Sequence, residues 1–207
     1  ESFLYFPHVF FIARYGLDCF DISMRAQNEL TRRFTAEFSI RAFIEQHPEK
    51  TMAQLRTWAG DPNVHVRRLV SEGSRPRLPW APRLRRFQQD PAPVIELLEL
   101  LKDDPEEYVR RSVANSLNDI SKDHPEAVVH ITRRWSKGAG QDRKRLIRHG
   151  LRTLIKQGHP EALAVLGDGV DSPAVVGHVS CAPSRVRIGD RIRIEARIDN
   201  PSTAEAG

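Results

Sequence analysis

Between Ser71 and Phe87 the sequence SEGSRPRLPWAPRLRRF sets one carboxylate, Glu72, and one indole, Trp80, within a run of Arg75, Arg77, Arg83, Arg85 and Arg86. Pro76, Pro79 and Pro82 forbid a continuous helix there, so the stretch reads as a shaped basic loop. Guanidiniums grip phosphates, an indole face attracts a cation, and a carboxylate stabilises developing positive charge. Together they suit a phosphate backbone held beside a cationic base. Two more acids could share that surface: Glu37, next to Phe38 in FTAEFSIRAF, and Asp119, with Asn115 one helical turn before it. Taken alone, Asp119 reads first as structural, since an acid near a helix end can also simply face water.

An internal echo indicates which elements must position these residues. Asp61-Pro62 followed by Val66-Arg67-Arg68 recurs as Asp104-Pro105 followed by Val109-Arg110-Arg111. The spacing is about 43 residues, the period of two-helix HEAT-like repeats. Each Asp is placed to cap a new helix and each Pro to occupy its first position. Three His-Pro-Glu tripeptides, at His47, His124 and His159, read as similar breaks rather than as a metal site. Helices are predicted over 23–33, 36–47, 50–59, 62–72, 93–103, 105–121, 125–136, 141–157 and 159–167. In the strongest, Val109, Val113, Ala114, Leu117 and Ile120 fall on one apolar stripe. The fold class is therefore all-α, a solenoid of stacked helix pairs whose second helices line one concave surface. That arrangement would bring both arginine doublets to a partner, although each doublet also suits simple solvation of its helix end.

Near the C-terminus the period changes from helical to alternating. Val186 and Ile188, then Ile192, Ile194, Ala196 and Ile198, alternate around Gly189-Asp190 and predict a hairpin closed by Asn200-Pro201. Two strands bury no core of their own, so this is read as the start of an incomplete β-sandwich. The expected organisation is a helical domain over 1–167, a linker over 168–174 and a β segment over 175–207. Because the chain begins at Glu1 rather than methionine, it is read as an N-terminally incomplete fragment.

A chain of 207 residues with 40% hydrophobic content can bury a real core, which excludes disorder. The net charge of +5 matters less than its distribution. Arg133, Arg134, Lys137, Arg143, Lys144, Arg145, Arg148, Arg152 and Lys156 accompany only Asp142, whereas Glu96, Glu99, Asp103, Asp104, Glu106 and Glu107 form an acidic shoulder. Such clustering suits a polyanion, with the acidic side turned away; solvated helix faces are the plainer alternative. Cys19 and Cys181 make no disulfide framework, which points to a reducing cytoplasm. No apolar run reaches the ~18 residues that cross a bilayer. FLYFPHVFFIARYG, interrupted by Pro7 and His8, reads as core. With no glycine-rich phosphate loop, cysteine pair at metal spacing, HExxH or serine elbow, neither cofactor nor metal is expected.

The strings VRRLVSEGSRPRLPWA and VRRSVANSLNDISKDHPE, set between YFPHVFFIARYGLDCFD and a basic terminal helix pair, resemble the AlkC branch of the HEAT-repeat DNA alkylation-repair glycosylases. The likeness runs from about Tyr5 to Gly167, and the trailing strands resemble the immunoglobulin-like domain that some members append. The family's earlier N-terminal helices have no counterpart here. The resemblance implies excision of N3-methylated bases, 3-methylcytosine and 3-methyladenine, from duplex DNA, without full base flipping and with the duplex bent across the concave face. It also implies a cytoplasmic, nucleoid-associated monomer. Glu72 is then the expected main catalytic acid, with Asp119 and Glu37 in support and Trp80 facing the cationic nucleotide. Arg67, Arg68, Arg75, Arg77, Arg110 and Arg111 would hold phosphates, Arg148 and Arg152 would extend the track, and Phe38 is a second aromatic contact.

A competing class is a HEAT-repeat module that grips nucleic acid or an acidic protein and catalyses nothing. The lone acid in the arginine loop separates the two, since a polyanion binder gains nothing from Glu72. A catalytically dead damage detector, which would keep Trp80 and tolerate Glu72→Gln, stands third.

Overall fold

The computed structural model describes residues 2–167 and 175–199, in two compact units divided between Leu166 and Gly167. The expected linker, 168–174, and the closing Asn200-Pro201 lie outside the described residues.

The all-α expectation holds for the first unit. A 3-10 turn, Ser2–Tyr5, leads into α1 (Phe6–Tyr15), α2 (Phe20–Thr31), α3 (Ser39–Gln46), α4 (Pro48–Trp58) and α5 (Val64–Gly73). Then follow α6 (Arg85–Gln89), α7 (Ala92–Leu101), α8 (Glu107–Ile120), α9 (Pro125–Ser136), α10 (Gln141–Gly150), α11 (Arg152–Lys156) and α12 (Pro160–Leu166). Helices α4 and α5, α7 and α8, and α9 and α10 pack as pairs, and α5, α8 and α10 stack into one layer. The stripe Val109, Val113, Ala114, Leu117 and Ile120 is buried throughout. The His-Pro-Glu tripeptides do open helices: Pro48, Pro125 and Pro160 begin α4, α9 and α12. His47 Nε2 lies 3.1 Å from Leu17 O and His124 Nε2 2.7 Å from Gln88 O, so two of these rings tie a helix start to an earlier turn.

Three expectations for this unit are corrected. The run FLYFPHVFFIARYG is not core: its helix α1 buries only Val9, and Phe3, Phe10, Phe11 and Tyr15 are exposed. The helix predicted over 141–157 breaks at Leu151, because Asn118 Oδ1 accepts from the Thr153 amide at 3.2 Å and from Thr153 Oγ1 at 2.8 Å. An amide captured by a side chain is lost to the helix ladder. The Asp-Pro pairs do not cap helices either. Asp61 Oδ1 accepts from Asn63 N at 2.8 Å and Asp104 Oδ1 from Glu106 N at 2.9 Å, so each makes an Asx turn ahead of the helix.

That repeated corner explains the first arginine of each doublet. Arg67 Nη1 donates to the Asp61 and Pro62 carbonyls, and its Nε and Nη2 form a fork on Asp104 at 2.6 and 3.1 Å. Arg110 Nη1 donates to the Asp104 and Pro105 carbonyls, with Nη2 3.2 Å from Asp142. One guanidinium thus fastens its own corner to an acid of the next repeat. At Gly73 a Cβ would stand 2.5 Å from Ile40 Cγ2, so glycine lets α5 reach α3.

Among the described residues the second unit is a two-stranded antiparallel sheet, β1 (Val175–Ala182) with β2 (Arg193–Asp199), pairing from Val175 opposite Asp199 to Ala182 opposite Arg193 with a one-residue register shift between Val176 and Val179. The hairpin prediction found the second strand but misplaced its partner: Val186 and Ile188 lie in the connection, with Gly189 at φ +100°.

Because the Arg67–Asp104 fork is largely buried, Arg67→Ala should lower unfolding free energy by roughly 3 kcal/mol. Arg111→Ala, at an exposed position, should change it by less than about 0.5 kcal/mol. Urea titration of both variants checks the contrast.

Candidate active site and nucleic-acid interface

Glu72 lies at the end of α5, Asp119 at the end of α8, and Glu37 just before α3. Arg75 sits between the first two: its Nη1 donates to Glu72 Oε1 at 2.6 Å and its Nε to Asp119 Oδ2 at 2.8 Å. Ser112 Oγ donates to Glu72 Oε2 at 2.7 Å and lies 2.7 Å from Ser71 Oγ. On the other side, Arg68 Nη1 stands 2.8 Å from Glu37 Oε2 and its Nη2 3.6 Å from Glu72 Oε1. The Arg68–Glu37 contact is close but poorly aligned, which leaves the buried Glu37 Oε2 without a hydrogen-bond donor. The result is an alternating chain, Glu37–Arg68–Glu72–Arg75–Asp119, with Lys122 Nζ 3.4 Å from Asp119. Burial alone would lower the Arg75 guanidinium, but the Glu72 charge and the Asp119 hydrogen bond outweigh it and hold it above its ordinary value.

This arrangement brings the three predicted acids together and corrects the reading of Glu72 as a lone acid whose charge stands open to a ligand. Glu72 is not an uncancelled charge; it is 6% exposed and both its oxygens are engaged. Of the five arginines in its loop, only Arg75 pairs with it.

The loop carries Trp80 at its tip. The Ala81 amide closes a turn on Leu78 O at 3.4 Å, with Pro79 and Trp80 at its centre. Trp80 has φ +61°, a left-handed conformation that such turns ordinarily reserve for glycine. Its side chain is 98% exposed. Trp80, Glu37, Phe38 and Phe6 line one cleft of about 880 Å³, together with Arg83 and Arg85. Phe38 stacks edge-on against Phe6, ring centroids 6.1 Å apart. Beneath the loop lies Arg41, which the sequence reading missed. Its Nη1 donates to Gly73 O at 3.1 Å and Arg75 O at 2.7 Å, and its Nη2 to Pro82 O. Burial pulls its guanidinium down to about 10, leaving it cationic at neutral pH. An arginine on an apolar helix face gives no sign in sequence of three carbonyls converging on it from a loop so far along the chain.

The structure sorts the arginines expected to hold phosphates. Arg67 and Arg110 are committed to the repeat corners, and Arg75 is buried between two carboxylates. Arg77 forks onto Asp123 at 3.0 and 2.5 Å. Arg68 faces two acids and lies 5.3 Å from the Tyr108 ring. Arg152 is half-buried, donating to His149 O and Asn115 Oδ1. Burial, followed by the Arg152 and Arg111 charges, lowers His149, whose Nε2 is 3.1 Å from the same Asn115 oxygen. Among the described residues, Arg83, Arg85, Arg111 and Arg148 are exposed and make no ion pair. Arg83 and Arg85 were visible in the basic run, but nothing in the spacing separated them from their paired neighbours. The acidic shoulder is not simply turned away: Glu96 pairs with Arg56, Glu99 with Arg134 and Asp103 with Arg143.

Comparison with known proteins gives these features a context. Residues 26–149 match the family model of the DNA alkylation repair enzymes. The chain is 41% identical over 182 residues to the uncharacterized protein YhaZ of Bacillus subtilis (strain 168), covering 88% of this chain and 51% of that one. Its structure superimposes with a TM-score of 0.92, at 40% identity, on Pseudomonas fluorescens alkylpurine DNA glycosylase AlkC bound to DNA containing an abasic site analog. That match covers 99% of this chain and 56% of that one. AlkD2 from Streptococcus mutans superimposes with a TM-score of 0.55 at 25% identity, over 70% of each chain. This chain spans about half the length of YhaZ and of AlkC. Among the described residues no helix is long and apolar enough to cross a membrane.

The left-handed backbone at Trp80 generates a stability prediction. Trp80→Gly should stabilise the fold by about 1 kcal/mol, because it relieves φ > 0 and removes an exposed side chain. A lower melting temperature would show that the indole packs against the protein.

Proposed function

We propose, from the premise that this chain belongs to the DNA alkylation repair enzyme family, that it hydrolyses the N-glycosidic bond of 3-methylcytosine and 3-methyladenine in duplex DNA. The observation that carries this reading is the alternating chain of Glu37, Glu72 and Asp119 with Arg68 and Arg75. Three carboxylates meet two guanidiniums along it and Lys122 at its Asp119 end balances the formal charge, so the least compensated carboxylate is Glu37, whose Oε2 has no hydrogen-bond donor. At the other end Glu37 opens on the cleft that Trp80 also lines.

N3-methylation makes the base a cation, so it departs with the bonding electron pair as a neutral molecule. Positive charge develops at C1′ of the sugar. Glu72, with Asp119 and Glu37 in support, stabilises that charge by field and hydrogen bonding. Water adds to C1′ as the bond to the base breaks, and its proton passes to a carboxylate and then to solvent. The Trp80 face attracts the cationic nucleotide by about 1–2 kcal/mol when partly desolvated. Arg83, Arg85, Arg111 and Arg148 hold phosphates, each contributing to the salt dependence of binding. The working location is the cytoplasm, on the nucleoid, and the working unit is a monomer.

One observation favours a second reading, a nucleic-acid-binding module without chemistry: both Glu72 oxygens are already hydrogen bonded. Base release from duplexes carrying defined methylated bases separates the two. Glu72→Gln should reduce release at least about 100-fold while duplex affinity stays within about threefold. Full activity of that variant would remove Glu72 from the chemistry, and no release by the wild-type protein would leave the binding module.

A further inference from the structure

We infer that Arg41 is a positioning residue that latches the Trp80 loop over the carboxylate chain; this rests on the glycosylase reading. The loop leaves α5 at Gly73 and returns at Leu84, ahead of α6. Arg41 binds both sides of it, taking the Gly73 and Arg75 carbonyls on the outgoing strand and the Pro82 carbonyl on the returning one. A single buried side chain closes the loop much as a clasp does, and Leu84 N donating to Pro76 O at 3.1 Å completes the neck.

The three contacts place Arg41 at the junction of every part of the site. Its hold on the Arg75 carbonyl fixes the backbone of the residue whose guanidinium bridges Glu72 and Asp119. Its hold on Pro82 fixes the segment two residues beyond Trp80. It lies one helical turn after Glu37 and Phe38 on the α3 side, so the same residue ties one wall of the cleft to the other. Only a planar fork with several fixed donors meets carbonyls from both strands at once, and a lysine ammonium presents a single point. The Nε of Arg41 is buried without a partner, a cost accepted in return for the geometry of its other two nitrogens. A side chain serving packing alone would not need three backbone acceptors drawn from one functional loop.

Arg41→Gln and Arg41→Lys test the latch, read out by hydrogen exchange of residues 74–84, trypsin cleavage after Arg83, and steady-state base release. In both variants the loop amides should exchange about tenfold faster and cleavage after Arg83 should accelerate, with helix protection unchanged. The turnover number should fall on the order of 10- to 100-fold, with affinity for undamaged duplex within about threefold. The losses of Arg41→Gln and Trp80→Ala should be non-additive, as expected of residues acting as one unit. Unchanged loop exchange in a folded variant, or strictly additive losses, would overturn the latch. If wild-type protein releases no base, the glycosylase reading fails while loop exchange still decides whether Arg41 clasps the loop. If neither variant folds, the Arg41 guanidinium protons of the wild type decide by NMR: slow exchange with water supports the clasp, and exchange at the rate of a free arginine refutes it.

Discussion

A carboxylate withdrawn from water must be met by charge or by hydrogen bonds, and this requirement shapes the first unit. Glu72 and Asp119 are both buried, on neighbouring helices, and one guanidinium satisfies both. That pairing obliges α5 and α8 to stack with their ends level. It also recruits Ser71 and Ser112, small hydroxyls that fit where the two helices touch. Without Arg75, two like charges would face each other in a medium that screens poorly. The site and the stack are therefore one structure, and the acids are as much part of the joint between repeats as of any chemistry.

The arginine doublets divide their labour by geometry. In each Val-Arg-Arg the first guanidinium turns back to the corner that opens its own helix and across to an acid of the next repeat. The second points to the face of the α5–α8–α10 layer, where Arg68 meets acids and Arg111 meets solvent. The third inner helix echoes the sequence as Ile147-Arg148-His149 but not the pairing: Ile147 is buried, Arg148 is exposed and unpaired among the described residues, and His149 is half-buried beside Asn115. A positive formal charge thus overstates the free positive surface, because much of it is consumed in holding the repeats together. What remains for a polyanion is sparse and placed at the edges of the site.

The stack was legible because its signals are local. Proline after histidine marks helix starts, and the apolar stripe of α8 follows from side-chain spacing alone. The acids and the tryptophan were also legible as types, since few other residues could serve a cation. Their pairing was not, because Arg75 and Asp119 lie far apart in sequence and nothing local says which of five arginines will turn inward. Helix α1 was misread for a related reason: hydrophobic content signals a need for cover, and sequence does not say whether that cover is present. The break at Leu151 depended on one amide of Asn118, a tertiary contact that helical propensity cannot anticipate.

The backbone at Trp80 has a consequence for the history of such chains. An indole held in a glycine conformation persists only while something selects for it, because every copy of the protein bears the conformational cost. Once that selection lapses, drift should replace it early, ahead of the well-paired acids, with the smallest residue the turn accepts. The residue after this Leu-Pro pair is thus a sentinel: in a related sequence, glycine there would record that the lineage has retired the site while keeping the scaffold.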